Sequence, residues 1–321
     1  MIFAGVIIAG LHQVVTVMEA MVGDAAVIEG GPRVKTRLQR FFPWHTRIAA
    51  KLVLSRLPAS YSFWRRVHLF SHGSMHRFDY ALGVFRHHFE RLPAQRDGLV
   101  LMEIGPGDSL LSAVIGAAHG AKKIHLIDAG NFATAEMQPY WEAAIRLREL
   151  GLAAPDLDSA EDLTDVLAAC NATYETGGLE SLRQIPTGSV DFIWSQAVLE
   201  HVRREEFGEF AREMRRVLRP TGCCSHQVDL KDHLGGALNN MRLGSKLWEA
   251  QWMASSGFYT NRLRMFEVVK AFREAHFSVD VLDCQRWGAV PTPRHVLARE
   301  FQEIPDNELL VQQFDLIAAP V

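Results

Sequence analysis

The stretch Leu99-Val-Leu-Met-Glu-Ile-Gly-Pro-Gly-Asp-Ser-Leu110 decides how this chain folds. An apolar run of this length suits a parallel strand buried on both faces. The two glycines that follow let backbone come close to a ligand at the strand's carboxyl end. A dinucleotide fingerprint places a third glycine where Leu110 stands, to pack the helix against the strand under a pyrophosphate. Glu103 ends the strand and Asp108 follows the turn, so two carboxylates flank that position and would repel a pyrophosphate. The same two acids suit a ligand with an ammonium and a sulfonium.

A second strand, Lys123-Ile-His-Leu-Ile-Asp128, follows a helix-sized interval with Leu111, Val114, Ile115 and Ala118. Asp128 lies 23 positions after Gly105, near the spacing of about 20 residues at which an acid meets ribose hydroxyls in doubly wound folds. At these residues the chain resembles the class I S-adenosylmethionine-dependent methyltransferases of the small-molecule type, whose first motif reads acid-x-Gly-x-Gly-x. Two later segments extend the resemblance: Asp191-Phe-Ile-Trp-Ser-Gln-Ala-Val-Leu-Glu-His-Val202 is similar to the family's fourth motif, and Leu218-Arg-Pro-Thr-Gly222 to the turn after it. The fourth motif is not the Asp/Asn-Pro-Pro-Tyr form linked to amino methylation of nucleic-acid bases.

The fold class expected is α/β, a Rossmann-like doubly wound seven-stranded sheet. Alternating strands and helices from 98 to 230 argue for it. The fourth strand is expected at Ser189–Gln196, a helix carrying Phe207, Phe210, Met214 and Val217 stops at Arg219–Gly222, and the fifth strand runs Cys223–Leu230. Two closing strands follow at Phe277–Leu282 and Gln312–Ala319, as in the family's sheet. Residues 1–97 are expected as a helical cap or lid, 98–321 as the cofactor-binding domain, and 231–275 as a helical insertion on the substrate side. Ile48, Leu52, Val53 and Leu57, and later Tyr80, Val84 and Phe85, recur at helical spacing in the cap.

The 321 residues, 48% of them hydrophobic, suffice for a large core. A net charge of −3 gives no overall field for nucleic acid, which is not expected as a partner. Between Pro32 and Asp97, however, thirteen Lys and Arg face three acids, pointing to an anionic substrate or a solvated basic face. Four cysteines, at 170, 223, 224 and 284, form no zinc or disulfide pattern, so a reducing cytoplasm is the expected location. Ile2–Leu11 is apolar, but no basic segment precedes it, and His12, Gln13 and Glu19 interrupt it well short of a membrane span of about 20 residues. No membrane partner is expected, and a homodimer is compatible with the sequence.

By resemblance, Glu103, Gly105, Gly107 and Asp108 would cradle the methionine half of S-adenosylmethionine and Asp128 with Ala129 the ribose. Gly178 and Leu179 would border the adenine, and Ser195 and Gln196 the sulfonium. Methyl transfer is an in-line displacement on an activated carbon, so alignment matters most and a base only when the acceptor must shed a proton. His201 follows the fourth strand, where substrates dock in such sheets, and His226 and Tyr80 are the other candidate proton carriers. His72, Asp229, His233, Tyr259, Asn261 and Arg262 are candidate substrate contacts. His226, Asp229, Asp232 and His233 gather carboxylates with imidazoles, but no H-x-x-x-H helix or cysteine partner accompanies them, so no metal site is expected. Three readings stand beside methyl transfer to a metabolite: cyclisation of the cofactor to azetidine-2-carboxylate with release of methylthioadenosine, a non-catalytic binding protein, and an NAD-dependent oxidoreductase.

Overall fold

The computed structural model describes residues 74–92 and 98–321. The expectations for residues 1–73, His72 among them, lie outside the described residues. No helix among the described residues is long and apolar enough to cross a membrane. The chain divides into two compact units, whose described residues are 74–92, 98–230, 263–288 and 306–321 in the larger and 231–262 and 289–305 in the smaller.

In the larger unit the order is α1 (Phe78–Phe89), β1 (Val100–Ile104), α2 (Leu111–Ala118), β2 (Lys123–Ile127), α3 (Gln138–Glu149), α4 (Leu163–Ala169), β3 (Ala172–Glu175), α5 (Leu179–Gln184), β4 (Val190–Gln196), α6 (Phe207–Val217), β5 (Leu218–Asp229), α7 (Met265–Glu274), β6 (Phe277–Arg286) and β7 (Val311–Pro320). The strands form one sheet in the order β3-β2-β1-β4-β5-β7-β6. The first five pair in parallel, and β7 enters antiparallel between β5 and β6. This is the doubly wound seven-stranded sheet expected from the strand pattern.

Alternation along the strands builds a core on each face. Leu101, Phe192 and Trp194 pack with α1, α2, α3 and α4 on one face. Met102, Ile104, Ile193 and Val228 pack with α5, α6 and α7 on the other. Helix α1, expected in a separate cap, is therefore part of the sheet's own core. Its Phe85 meets the Trp194 ring edge-on at 5.7 Å, and full burial of such a ring contributes about 1.5–3 kcal/mol. Polar anchors fix the ends of elements. Asp162 caps α4 by accepting from Thr164 N at 2.7 Å and Asp165 N at 3.1 Å. Asp191 accepts from Val100 N at 2.8 Å and pairs with Arg219 at 2.6 Å, tying β4 to the start of β1 and to β5. The buried Arg264 guanidinium donates to the carbonyls of Leu230, Glu308 and Val311, and burial pulls its pKa down to about 10.

Two expectations are corrected. The segment Arg219–Gly222 is not a turn outside the sheet: β5 already begins at Leu218, which pairs with Val190, and Cys223 pairs with Phe192. The proline and glycine sit in a bulge of the β4–β5 ladder, where an absent N–H costs no pairing. Of the helical insertion expected over 231–275, the regular helix is α7 (Met265–Glu274), while residues 231–262 hold no long helix. They contain only the short turns Asn239–Arg242, Ser245–Trp248 and Gln251–Ala254, because Gly235-Gly236, Gly244 and Ser255-Ser256-Gly257 break any longer helical period. In the smaller unit these turns surround a small core of Leu234, Trp248, Met253, Phe258 and Tyr259.

Candidate cofactor and active site

The glycine turn joins β1 to the segment leading into α2. Gly105 has φ +71° and Gly107 φ +74°, the left-handed region that a side chain resists. A Cβ on Gly105 would also come within 2.5 Å of Val198 Cγ2, so this backbone is bare for two independent reasons. Glu103, at the end of β1, is fully buried. Desolvation raises its pKa to about 7, with Asp128 adding in the same direction, while Ser112 and Trp194 favour ionisation. Its Oε2 nevertheless makes no hydrogen bond among the described residues. Asp128, at the end of β2, accepts from Gly107 N at 3.1 Å and from Ala129 N at 2.7 Å. Desolvation still outweighs these bonds and lifts its pKa to about 6. Gly178 N donates to the Asp128 carbonyl at 2.7 Å, which brings the loop after β3 alongside.

Glu103, Gly105, Gly107, Asp128, Ala129 and Gly178 are thus gathered at the carboxyl ends of three neighbouring strands. Asp108 is buried in the same turn, and His76 Nδ1 lies 3.2 Å from its Oδ2. Tyr80, on α1, is 40% exposed, and burial together with the charge of Asp108 raises its phenol pKa. The arrangement fits S-adenosylmethionine: bare backbone for close approach, a buried carboxylate oxygen awaiting a cationic partner, and a second acid at ribose spacing. Leu179 opens α5 beside Gly178.

Ser195 and Gln196 end β4, one on each face of the sheet. Ser195 Oγ lies 2.7 Å from His226 Nδ1, and the His226 ring packs 5.5 Å from Phe272. His226 is fully buried and its pKa falls to about 3, chiefly by desolvation, so it stays neutral. That corrects its expected role as a proton carrier: a sealed imidazole in the core of the sheet orients Ser195 instead. On the opposite face Gln196 Oε1 accepts from His88 Nε2 at 3.0 Å, and Gln196 Nε2 donates to Gln227 Oε1. His201 is exposed on the 3-10 turn Leu199–His201, just past β4. Asp229 closes β5, paired with Gln313.

The remaining candidates belong to the smaller unit. Tyr259 is buried, donates to Glu249 Oε2 at 2.6 Å and stacks on Trp248. Arg262 donates to Leu243 O at 2.6 Å and to Ser245 and Glu249, and its guanidinium lies over the Trp248 and Phe301 rings. Asn261 is buried, and His233 is half-buried. Arg262 and Tyr259, expected as substrate contacts, are committed to the interior of their own unit, a consequence of an arginine and a tyrosine finding acceptors and aromatic faces within reach.

The sequence reading missed His76, His88 and Gln227. Helical spacing put His88 on α1, but its partners lie 108 and 137 residues away, a distance at which no local pattern speaks.

The family described as Methyltransferase domain matches residues 103–225. No curated protein matches the sequence. Among solved structures, the chain is similar to an S-adenosylmethionine-dependent methyltransferase from Mesorhizobium loti (17% identity, 75% of this chain and 99% of that one, TM-score 0.41). It is also similar to an arsenic(III) S-adenosylmethionine methyltransferase from Chlamydomonas reinhardtii (15%, 75% and 72%, TM-score 0.41). A third is phosphoethanolamine N-methyltransferase 2 of Haemonchus contortus in complex with S-adenosyl-L-methionine (12%, 75% and 52%, TM-score 0.41). The glycine turn and its acids thus fall at the start of a segment, residues 103–225, that matches the methyltransferase-domain family.

Proposed function

We propose that this enzyme transfers the methyl group of S-adenosylmethionine to a small metabolite. The observation that carries the reading is the buried pair Glu103 and Asp128 around the left-handed Gly105–Gly107 turn. Glu103 and Asp108 would hold the methionine ammonium, Asp128 the ribose hydroxyls, and Gly178, Leu179, Ser195 and Gln196 the adenine and sulfonium sides. The bound cofactor supplies an electrophilic methyl carbon on a positive sulfur. The protein then has mainly to align the acceptor, which can lower the barrier by roughly 7–11 kcal/mol. Where the acceptor carries a proton, exposed His201 and half-exposed Tyr80 are the groups placed to take or relay it.

The cytoplasm and the absence of nucleic-acid and membrane partners belong to the same reading, supported by the net charge of −3 and the free cysteines. Product analysis tests it. Purified protein incubated with S-adenosylmethionine and a metabolite extract is expected to yield S-adenosylhomocysteine and a mass gain of one methyl group on an acceptor. Methylthioadenosine formed from the cofactor alone would replace this reading with cyclisation of the cofactor.

A further inference from the structure

We propose that Val198 registers the acceptor side of the site on the methyl-donor side: its two methyl groups fill the place of the side chain that Gly105 lacks, so that the glycine turn and the loop after β4 lock as hole and knob. The proposal rests on the methyltransferase reading and deepens it by naming a residue that sets alignment. A Cβ on Gly105 would lie 2.5 Å from Val198 Cγ2, 2.8 Å from Cγ1 and 3.2 Å from Cβ. Gly105 is therefore bare toward a residue of this chain as well as toward a ligand.

The backbone on both sides is bent to make this meeting. Gly105 has φ +71°, and its N–H donates to Ile127 O at 2.7 Å, which ties the turn to β2. Ala197, the residue after β4, has φ +53°, a left-handed conformation that alanine keeps only where its surroundings impose it. Its N–H donates to Gln227 O at 3.0 Å, so β5 holds it there. The strained residue sets the direction in which Val198 leaves the strand. Val198 in turn carries the 3-10 turn Leu199–His201: its carbonyl accepts from His201 N at 2.8 Å, and Leu199 is fully buried in the core that α5, α6 and α7 build. His201 thus takes its position from Leu199 in the core and from Val198 on the glycine turn. A valine suits the second contact, because branching at Cβ restricts its χ1 and presents both methyl groups at a fixed angle. In-line transfer is sensitive to such placement, a misplacement of about 1 Å lowering the rate about a hundredfold. Loss of the registration is therefore expected to fall on turnover more than on cofactor affinity. Val198 touches no reacting atom in this account; it is a positioning residue.

Two experiments test it. Calorimetric titration of S-adenosylhomocysteine compares the unsubstituted protein, Gly105→Ala, Val198→Ala and the double variant. Val198→Ala is expected to bind within threefold of the unsubstituted protein and Gly105→Ala at least tenfold more weakly. The double variant is expected to bind at least threefold more tightly than Gly105→Ala, because only the 3.2 Å contact to Val198 Cβ then remains. A double variant that binds no better than Gly105→Ala would overturn the interlock. The second experiment reads turnover, as S-adenosylhomocysteine released from S-adenosylmethionine and a metabolite extract. It is expected to fall at least tenfold in Val198→Ala and to return to within threefold in Val198→Thr, which keeps the branched shape. Undiminished turnover in Val198→Ala, affinity and turnover falling by the same factor, or no recovery in Val198→Thr would overturn the registration. Failure of the unsubstituted protein to bind S-adenosylhomocysteine would overturn the methyltransferase reading instead. The melting temperatures of the same four proteins then decide the interlock by themselves, the double variant being expected above Gly105→Ala and a double variant below it contradicting the contact.

Discussion

Glu103 shows how one residue sets function against stability. Its carboxyl is raised from 4.5 in the unfolded chain to about 7 in the fold because burial opposes its charge. A carboxyl shifted in this direction favours the fold below its unfolded pKa, and that contribution is lost as pH climbs through about 7. The span corresponds to roughly 3 kcal/mol at about 1.4 kcal/mol per pH unit. S-adenosylmethionine needs the ionised form, so its affinity is expected to rise between pH 5 and pH 8, with Asp128 ionising in the lower part of that window. Glu103→Gln removes the titration: melting temperature above pH 7 should increase while cofactor affinity at pH 8 falls at least tenfold. Melting curves and calorimetric titration in the same buffers check both, and a variant less stable at pH 8 contradicts the origin assigned to the shift.

At the scale of the element, the β1–α2 turn admits no side chain. Gly105→Ala meets a left-handed backbone and Val198 at once. A left-handed alanine costs about 1–2 kcal/mol before the clash is counted, so the variant should melt several degrees lower and lose cofactor binding; native binding with an unchanged melting temperature would contradict the close approach. This turn was legible in the sequence because glycine, proline and a strand-ending acid are local signals with one physical meaning. β1, β2 and β4 were legible for the same reason, as apolar runs between turn residues. The bulge at Arg219–Gly222 was not, since Arg-Pro-Thr-Gly reads identically as a turn between elements and as extra residues in a ladder; only the pairing partner, β4, decides. Nor was the smaller unit: the apolar residues of 231–262 fall at helical intervals, but their glycines and serines cut the helices to a single turn.

For the whole molecule, the strand order makes the carboxyl-terminal segment central. β7 lies between β5 and β6, so it closes the sheet from within, although it is the last strand in sequence. Ending the chain at Leu310 would strip both neighbours of their ladder bonds, and such a protein is expected to be insoluble or to lack a cooperative melting transition. A soluble, cofactor-binding product would contradict the topology. The cofactor half of the site was legible because its acids and glycines each end a strand, and strand ends are read from local pattern. The contacts of α1 were not, because His88, Gln196 and Gln227 meet only through the packing of α1 on the sheet. The central claim, that the ends of β1 and β2 form an S-adenosylmethionine site, is tested most directly by calorimetric titration of S-adenosylhomocysteine into the protein and its Asp128→Ala variant at pH 8. Saturable one-to-one binding by the first, weakened at least tenfold in the second with the melting temperature retained, is the predicted result; no binding by either, or equal binding by both, would contradict it.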